Sequence, residues 1–185
     1  EHLTYGHENG DPRLIDAIIR MRRVLSTAEI DAMKAAAEIT RSAHIAAMVA
    51  TKPGRTEQRI AAAFHDVVMQ SGMTLAYPSI VTVRGEGLHN FRYTNTLSPG
   101  DLLLLDGGAE SPLGYATDVT RTWPVSGRFT PRQRTAYDAV LESQLAGISM
   151  VRTGTRYRDI HTRCSLILAR FLADEGLIRC SPEDA

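Results

Sequence analysis

Cysteine is scarce in this chain. Cys164 and Cys180 are its two; they form no CxxC and offer no disulfide framework, so a reducing, cytoplasmic setting is the simplest reading. Excess charge is missing as well: 21 Lys and Arg balance 21 Asp and Glu. Without a basic surplus to follow a phosphate backbone, nucleic acid is not an expected partner. No apolar run approaches the roughly 20 residues needed to span a bilayer, so a membrane is not expected either. The polar start, EHLTYGHENG, lacks the apolar core of a secretory signal. No GxxxxGK[ST] or GxSxG occurs, and no helical histidine has HxxxH or HExxH spacing. Gly85-Glu86-Gly87 lacks the third glycine and the strand–turn–helix setting of a dinucleotide fingerprint. Internal repeats and low-complexity segments are absent too. What is present is 185 residues at 43% hydrophobic content, enough for one ordinary domain with a real core.

Residues 1–11 read as a linker or the tail of an upstream N-terminal domain, with Gly, Asn, Asp and little periodicity. Asp11-Pro12 opens an amphipathic helix bearing Leu14, Ile15, Ile18 and Ile19, with Arg20, Arg22 and Arg23 suiting its C-terminal dipole. Ser26-Thr27-Ala28-Glu29 is a capping box, and the helix it starts runs to about Ala50, with Ile30, Met33, Ala37, Ile39, His44 and Met48 as its apolar positions. Thr56 caps a third helix carrying Ile60, Phe64, Val67 and Val68. A turn at Ala76-Tyr77-Pro78 leads into a strand from Ile80 to Val83, and Asn95 to Gly100 turns the chain into the next strand. Farther on, Thr130-Pro131-Arg132-Gln133 is a second capping box, and Thr155 is the expected cap of a last helix ending at Gly176. Helices, then strands, then helices predict an α+β domain, residues 12–185, with helices packed on an antiparallel sheet.

The stretch DLLLLDGGAESPLGYATDVTRTW carries the chemistry. Two β-rich runs flank a Ser-Pro-Leu-Gly turn, which predicts a hairpin. A turn centred near Pro112–Leu113 sets Asp106 opposite Asp118 on one face. Facing carboxylates repel, and an oxygen-ligated divalent cation is the plain remedy. Against this stands the ordinary reading that one aspartate ends a strand and the other serves a turn. The residues alone leave both open, since a register can slip. His89, between Gly-x-Gly and a strand, is on position alone a surface or structural histidine. His44, His65 and His161 lie on helices without ligand spacing and read as structural, while His2 and His7 belong to the linker segment.

Taken together, AYPSIV, GLHN, SPGDLLLLDGGAE and GYATDVTRTWPVSGRFTPRQRTAYDAVLESQ resemble the catalytic domain of aminopeptidase P, the Xaa-Pro aminopeptidases of the pita-bread metallopeptidases. IIRMRRVLSTAEIDAMKAAAEITRSAH and KPGRTE fit the same family, so the resemblance covers about residues 12–176. It implies the N-terminal half of a pita-bread fold, built from two similar halves around a curved sheet. By motif, Asp106 and Asp118 match metal ligands, Asp118 being the one that bridges two ions. His89 matches the catalytic histidine that contacts substrate or the developing tetrahedral intermediate. Tyr77 matches a substrate-lining tyrosine. Thr120 and Thr122 are inferred to support the carboxylates.

The resemblance implies two divalent ions as cofactors, Mn²⁺ in many relatives, whose shared water attacks the peptide bond before proline. The implied partner is a peptide with proline at its second position; homo-oligomers are compatible with all of this. The remaining family ligands, a histidine and two glutamates, have no counterpart: His161, Glu175 and Glu183 sit in no matching motif. The expectation is therefore the first half of a catalytic domain, which alone binds metal weakly and is not a competent peptidase. Within the class, prolidase, which cleaves Xaa-Pro dipeptides, is the nearest rival. A non-catalytic pita-bread module that binds peptides or proteins is the rival from another class, and retention of both aspartates argues against it.

Overall fold

Helix starts follow the local signals. In the computed structural model, which describes residues 10–181, Asp11 Oδ1 accepts from the Arg13 N–H at 2.9 Å and opens α1 (Pro12–Arg22). Residues 1–9 of the expected linker lie outside the described residues. Ser26 and Glu29 exchange the two bonds of a capping box at the start of α2 (Thr27–Ala50). Thr56 caps α3 (Glu57–Gln70), and Thr130 with Gln133 boxes α4 (Pro131–Ser149). Each bond satisfies an otherwise orphaned N–H of the first turn. Thr155 departs from expectation. The cap of α5 (Tyr157–Asp174) is Arg156, with no side-chain bond, because the chain turns one residue later.

The strands are β1 (Thr74–Leu75), β2 (Ile80–Thr82), β3 (Leu102–Gly107), β4 (Ala109–Glu110) and β5 (Val119–Pro124). They form two antiparallel sheets, β1-β4 and β2-β3-β5. The architecture is α+β. The described residues divide into two compact units after Val125.

In the first unit α2 and α3 pack together, α2 also against β4 and β5, and α3 against β1 and β2. Leu103 and Leu105 of β3 point inward to Ile60, Phe64 and Val68 of α3, all fully buried. Leu102, Leu104 and Asp106 alternate to the other face. Of the residues expected to bury α2, Ile39 packs on the core and His44 is buried, but the other large apolar ones are not. Ile30, Met33 and Met48 are exposed, while Ala36, Thr40, Ala43, His44 and Ala47 are buried. Alanine's small side chain lets α2 lie close to its neighbours. In the second unit α4 and α5 pair by the same means. A Cβ added at Gly147 would sit 2.9 Å from Cys164 Sγ, and Ser143 and Cys164 exchange bonds to one another's carbonyls.

Candidate functional site

The expected hairpin is present, with a different register. Asp106 pairs with Thr120, and Gly107 with Val119. Asp118 is therefore the diagonal neighbour of Asp106, two residues short of the position opposite it. The cause is the tip: Ser111 pairs with Tyr115 at 2.9 Å, which centres the turn on Leu113 and gives the same register on both sides of Gly108. At Gly108 the strand breaks, β4 turns to pair with β1, and a Cβ would fall 1.8 Å from the Thr117 carbonyl oxygen. Only glycine permits that approach. Beyond the break the hairpin resumes, with Thr117 N–H donating to the Ala109 carbonyl at 3.0 Å and a Ser111–Gly114 turn closing the tip.

Behind the break, the buried Thr40 hydroxyl lies 2.6 Å from Thr117 Oγ1 and accepts from the Ala109 N–H at 2.9 Å. A helix side chain thus holds the backbone one residue from Asp118. Gly107 is also tight. An added Cβ would lie 2.8 Å from the Phe64 ring and 3.2 Å from Ser79 Oγ.

Despite the slipped register the two carboxylates converge. Tyr77 Oη lies 2.6 Å from Asp106 Oδ1 and 2.9 Å from Asp118 Oδ1. A phenol has one hydrogen to give, so two acceptors share a single proton. Burial first, and then the bonds and charges of the two aspartates, push the Tyr77 pKa far above its ordinary value, which keeps the O–H a donor. Thr120 and Thr122, inferred as supports, make no hydrogen bond to either aspartate; among the described residues Tyr77 is the side chain bonded to both.

Tyr77, Asp106, Asp118 and His89 line one cleft of about 400 Å³, together with Pro78, Ile80 and Phe91. His89 reaches it from the loop between β2 and β3, with its backbone at φ 54°, the left-handed region that histidine enters more readily than most residues. The apolar wall of Pro78, Ile80 and Phe91 was not foreseen. Ile80 could have been found from its pairing with Asp106, since paired residues share a face.

His44 and His65, on the two long helices of the first unit, do not line the cleft. Buried His44 has Nδ1 3.0 Å from the Thr40 carbonyl and its ring edge-on to Phe64. Its Nε2 makes no hydrogen bond. A carbonyl can only accept, so Nδ1 carries the proton and Nε2 is bare, the neutral form that suits an apolar pocket. Burial lowers its pKa, against the raising effect of the Thr40 carbonyl. His65 Nε2 lies 3.2 Å from Ser79 Oγ.

The donor chemistry suits a hard divalent cation, because two carboxylate oxygens face one space with one proton between them. The set is nonetheless partial. Among the described residues no three His, Cys, Asp or Glu side chains gather as a metal cluster.

Residues 31–179 match the profile of Metallopeptidase family M24. The chain belongs to this family. It is 37% identical over 171 residues to Xaa-Pro aminopeptidase 3 of Rattus norvegicus, covering 91% of this chain and 34% of that protein. It is 36% identical over 164 residues to the Xaa-Pro aminopeptidase of Escherichia coli, covering 86% and 36%. The fold superposes on Pseudomonas aeruginosa aminopeptidase PepP with a TM-score of 0.87 at 31% identity, covering 92% of this chain and 39% of that one. A substrate complex of an Escherichia coli aminopeptidase P variant gives the same TM-score, 0.87, at 33% identity, covering 91% and 39%. This M24 chain is thus a homologue of the Xaa-Pro aminopeptidases with the pita-bread architecture of aminopeptidase P. It spans little more than a third of the length of the relatives it matches.

Proposed function

We propose that this chain supplies the first two metal-ligating carboxylates, Asp106 and Asp118, of a dinuclear Xaa-Pro aminopeptidase site. The further ligands would come from chain beyond the residues described. The observation that carries the reading is the convergence of both carboxylates on the single Tyr77 hydroxyl in a cleft shared with His89. Divalent ions held there, Mn²⁺ being our choice, would supply Lewis acidity and a water acidic enough to hydrolyse a peptide. The remaining work falls to side chains of this chain. His89, at the cleft wall, donates a hydrogen bond to the carbonyl oxygen as negative charge develops on it. Tyr77, kept protonated, orients the two carboxylates and offers its ring to the substrate. Pro78, Ile80 and Phe91 form an apolar wall that favours a proline-containing peptide and excludes water.

One observation favours a second reading for the 185 residues alone. With no third ligand gathered among the described residues, they would hold a peptide without cleaving it. Calorimetry with Mn²⁺ separates the two. The chain alone is expected to take up little metal, and tight stoichiometric binding would show that the missing ligands are replaced from within it. In a protein carrying the complete site, Asp118→Ala is expected to abolish metal-dependent release of the residue before proline. Unchanged metal content and activity in that variant would sink the assignment.

A further inference from the structure

Glu57 is fully buried, yet it belongs to no metal cluster and does not line the cleft. Its position at the start of α3 would ordinarily give a first-turn carboxylate a solvated role near the helix dipole. Instead the side chain turns inward to three donors. Oε1 accepts from the Val83 N–H at 2.8 Å and from Asn95 Nδ2 at 2.9 Å, and Oε2 accepts from the Asn95 N–H at 3.0 Å. The Glu57 N–H in turn donates to the Asn95 carbonyl at 3.0 Å.

Val83 and Asn95 are the two ends of the loop that carries His89 and Phe91. Within the loop, the backbone has no strand pairing and His89 holds a left-handed conformation. Near its far end Tyr93 Oη donates to the Ser79 carbonyl at 2.5 Å, which ties the loop to the segment just after Tyr77. The loop is therefore anchored at its base, and among the described residues Glu57 is the one side chain bonded to both ends.

We propose that Glu57 is a positioning residue: its carboxylate clamps the base of the 84–94 loop and so holds His89 over the Asp106–Asp118 pair. The clamp rests on the reading of those residues as one catalytic site, and it adds a group that acts at a distance through His89. A three-donor carboxylate suits this role because each bond to a charged acceptor is strong, and losing one leaves a buried N–H unpaired. Glutamine fits the same space, but its NH₂ must face a donor, so Glu57→Gln loses at least one bond without opening a cavity.

Two measurements test the clamp. The first is amide hydrogen exchange on the 185-residue chain. Glu57→Gln should speed exchange of residues 84–94 about tenfold, as expected for losing one charge-assisted bond, with the α2 and α3 amides unchanged. Asn95→Ala, which deletes only the Nδ2 donor, should act in the same direction and more weakly. Unchanged loop exchange in both variants, or equal acceleration everywhere, overturns the proposal. The second uses a protein with the complete site and an Xaa-Pro peptide. Glu57→Gln should lower kcat about tenfold with KM and metal content little changed. A looser loop with kcat intact would overturn the positioning role. If the wild-type protein cleaves no such peptide, the functional reading fails, and the exchange result still decides whether the clamp exists.

Discussion

Replacing Gly108 with alanine should be costly out of proportion to one methyl group, and the reason can be worked from the backbone. The new Cβ would meet the Thr117 carbonyl oxygen at 1.8 Å and its carbon at 2.6 Å. Neither is the end of a flexible side chain, so relief requires moving the strands apart. That movement strains the Thr117 N–H bond to the Ala109 carbonyl and the Ala76 N–H bond to the Gly108 carbonyl, at 3.0 and 2.9 Å. Overpacking costs about 1–3 kcal/mol, and each weakened bond about 1 kcal/mol. A total near 3 kcal/mol lowers the melting temperature by roughly 10 °C for a chain of this length. The control is Gly85→Ala, whose Cβ would make only an ordinary 3.8 Å contact with Leu104; it should stay within about 0.5 kcal/mol of wild type. Thermal unfolding followed by circular dichroism measures both. If Gly108→Ala melts with the control, the close approach at the break does not constrain the two strands, and the cost assigned to it is wrong.

Thr40→Val removes the hydroxyl beneath the same break and leaves the Ala109 N–H with only the longer 3.2 Å bond to Thr117. It should cost about 1–2 kcal/mol in denaturant unfolding, and a neutral outcome would mean that Thr117 alone holds the turn. Acid should destabilise the chain through His44, whose folded pKa lies below the ordinary value because of burial. The unfolded state then binds the proton more readily, so stability is full above about pH 6.5 and is lost as pH falls through that value, by at most about 1.4 kcal/mol per pH unit. His44→Leu should flatten the fall in melting temperature between pH 7 and pH 5, and an unchanged slope would exclude His44 as the source.

Helix caps were legible because a cap is a local contract. Ser26 with Glu29, Thr56, and Thr130 with Gln133 need only a few residues to make their bonds. Turn residues likewise announced the hairpin, whereas His89 was joined to the aspartates only by the family resemblance, its position alone reading as surface or structural. The register was not legible, because it depends on the turn closing between Ser111 and Tyr115, and a small shift of the turn centre moves every pair. The buried face of α2 misled for a related reason: residue size suggests Ile30 and Met33, whereas close helix packing selects Ala36, Ala43 and Ala47. Strand β1, two residues long, has too little pattern to read. Glu57 carries no local signal of its role, since nothing in its neighbours reveals that it is buried against Val83 and Asn95.

The chemistry of the cleft turns on a count of protons. Two carboxylates meet one phenol, and that phenol, raised far above its usual pKa, gives one hydrogen and no positive charge. The described ion pairs, Lys34–Asp31, Arg41–Glu38 and Arg134–Asp138, lie on exposed helix faces and include neither aspartate. Asp118 is exposed and Asp106 half-buried, so solvent can screen the repulsion only from one side. A hard cation relieves it from within the cleft, where its attraction to both carboxylates is screened less than at the surface. Metal dependence is general to the M24 family, and the unbalanced charge here is compatible with it. The diagonal placement that follows from the Leu113-centred turn matters to this charge balance. Direct opposition would hold the carboxylates in a single cross-strand pair, whereas the diagonal spreads them around a common space that one oxygen, Tyr77 Oη, already reaches from both sides.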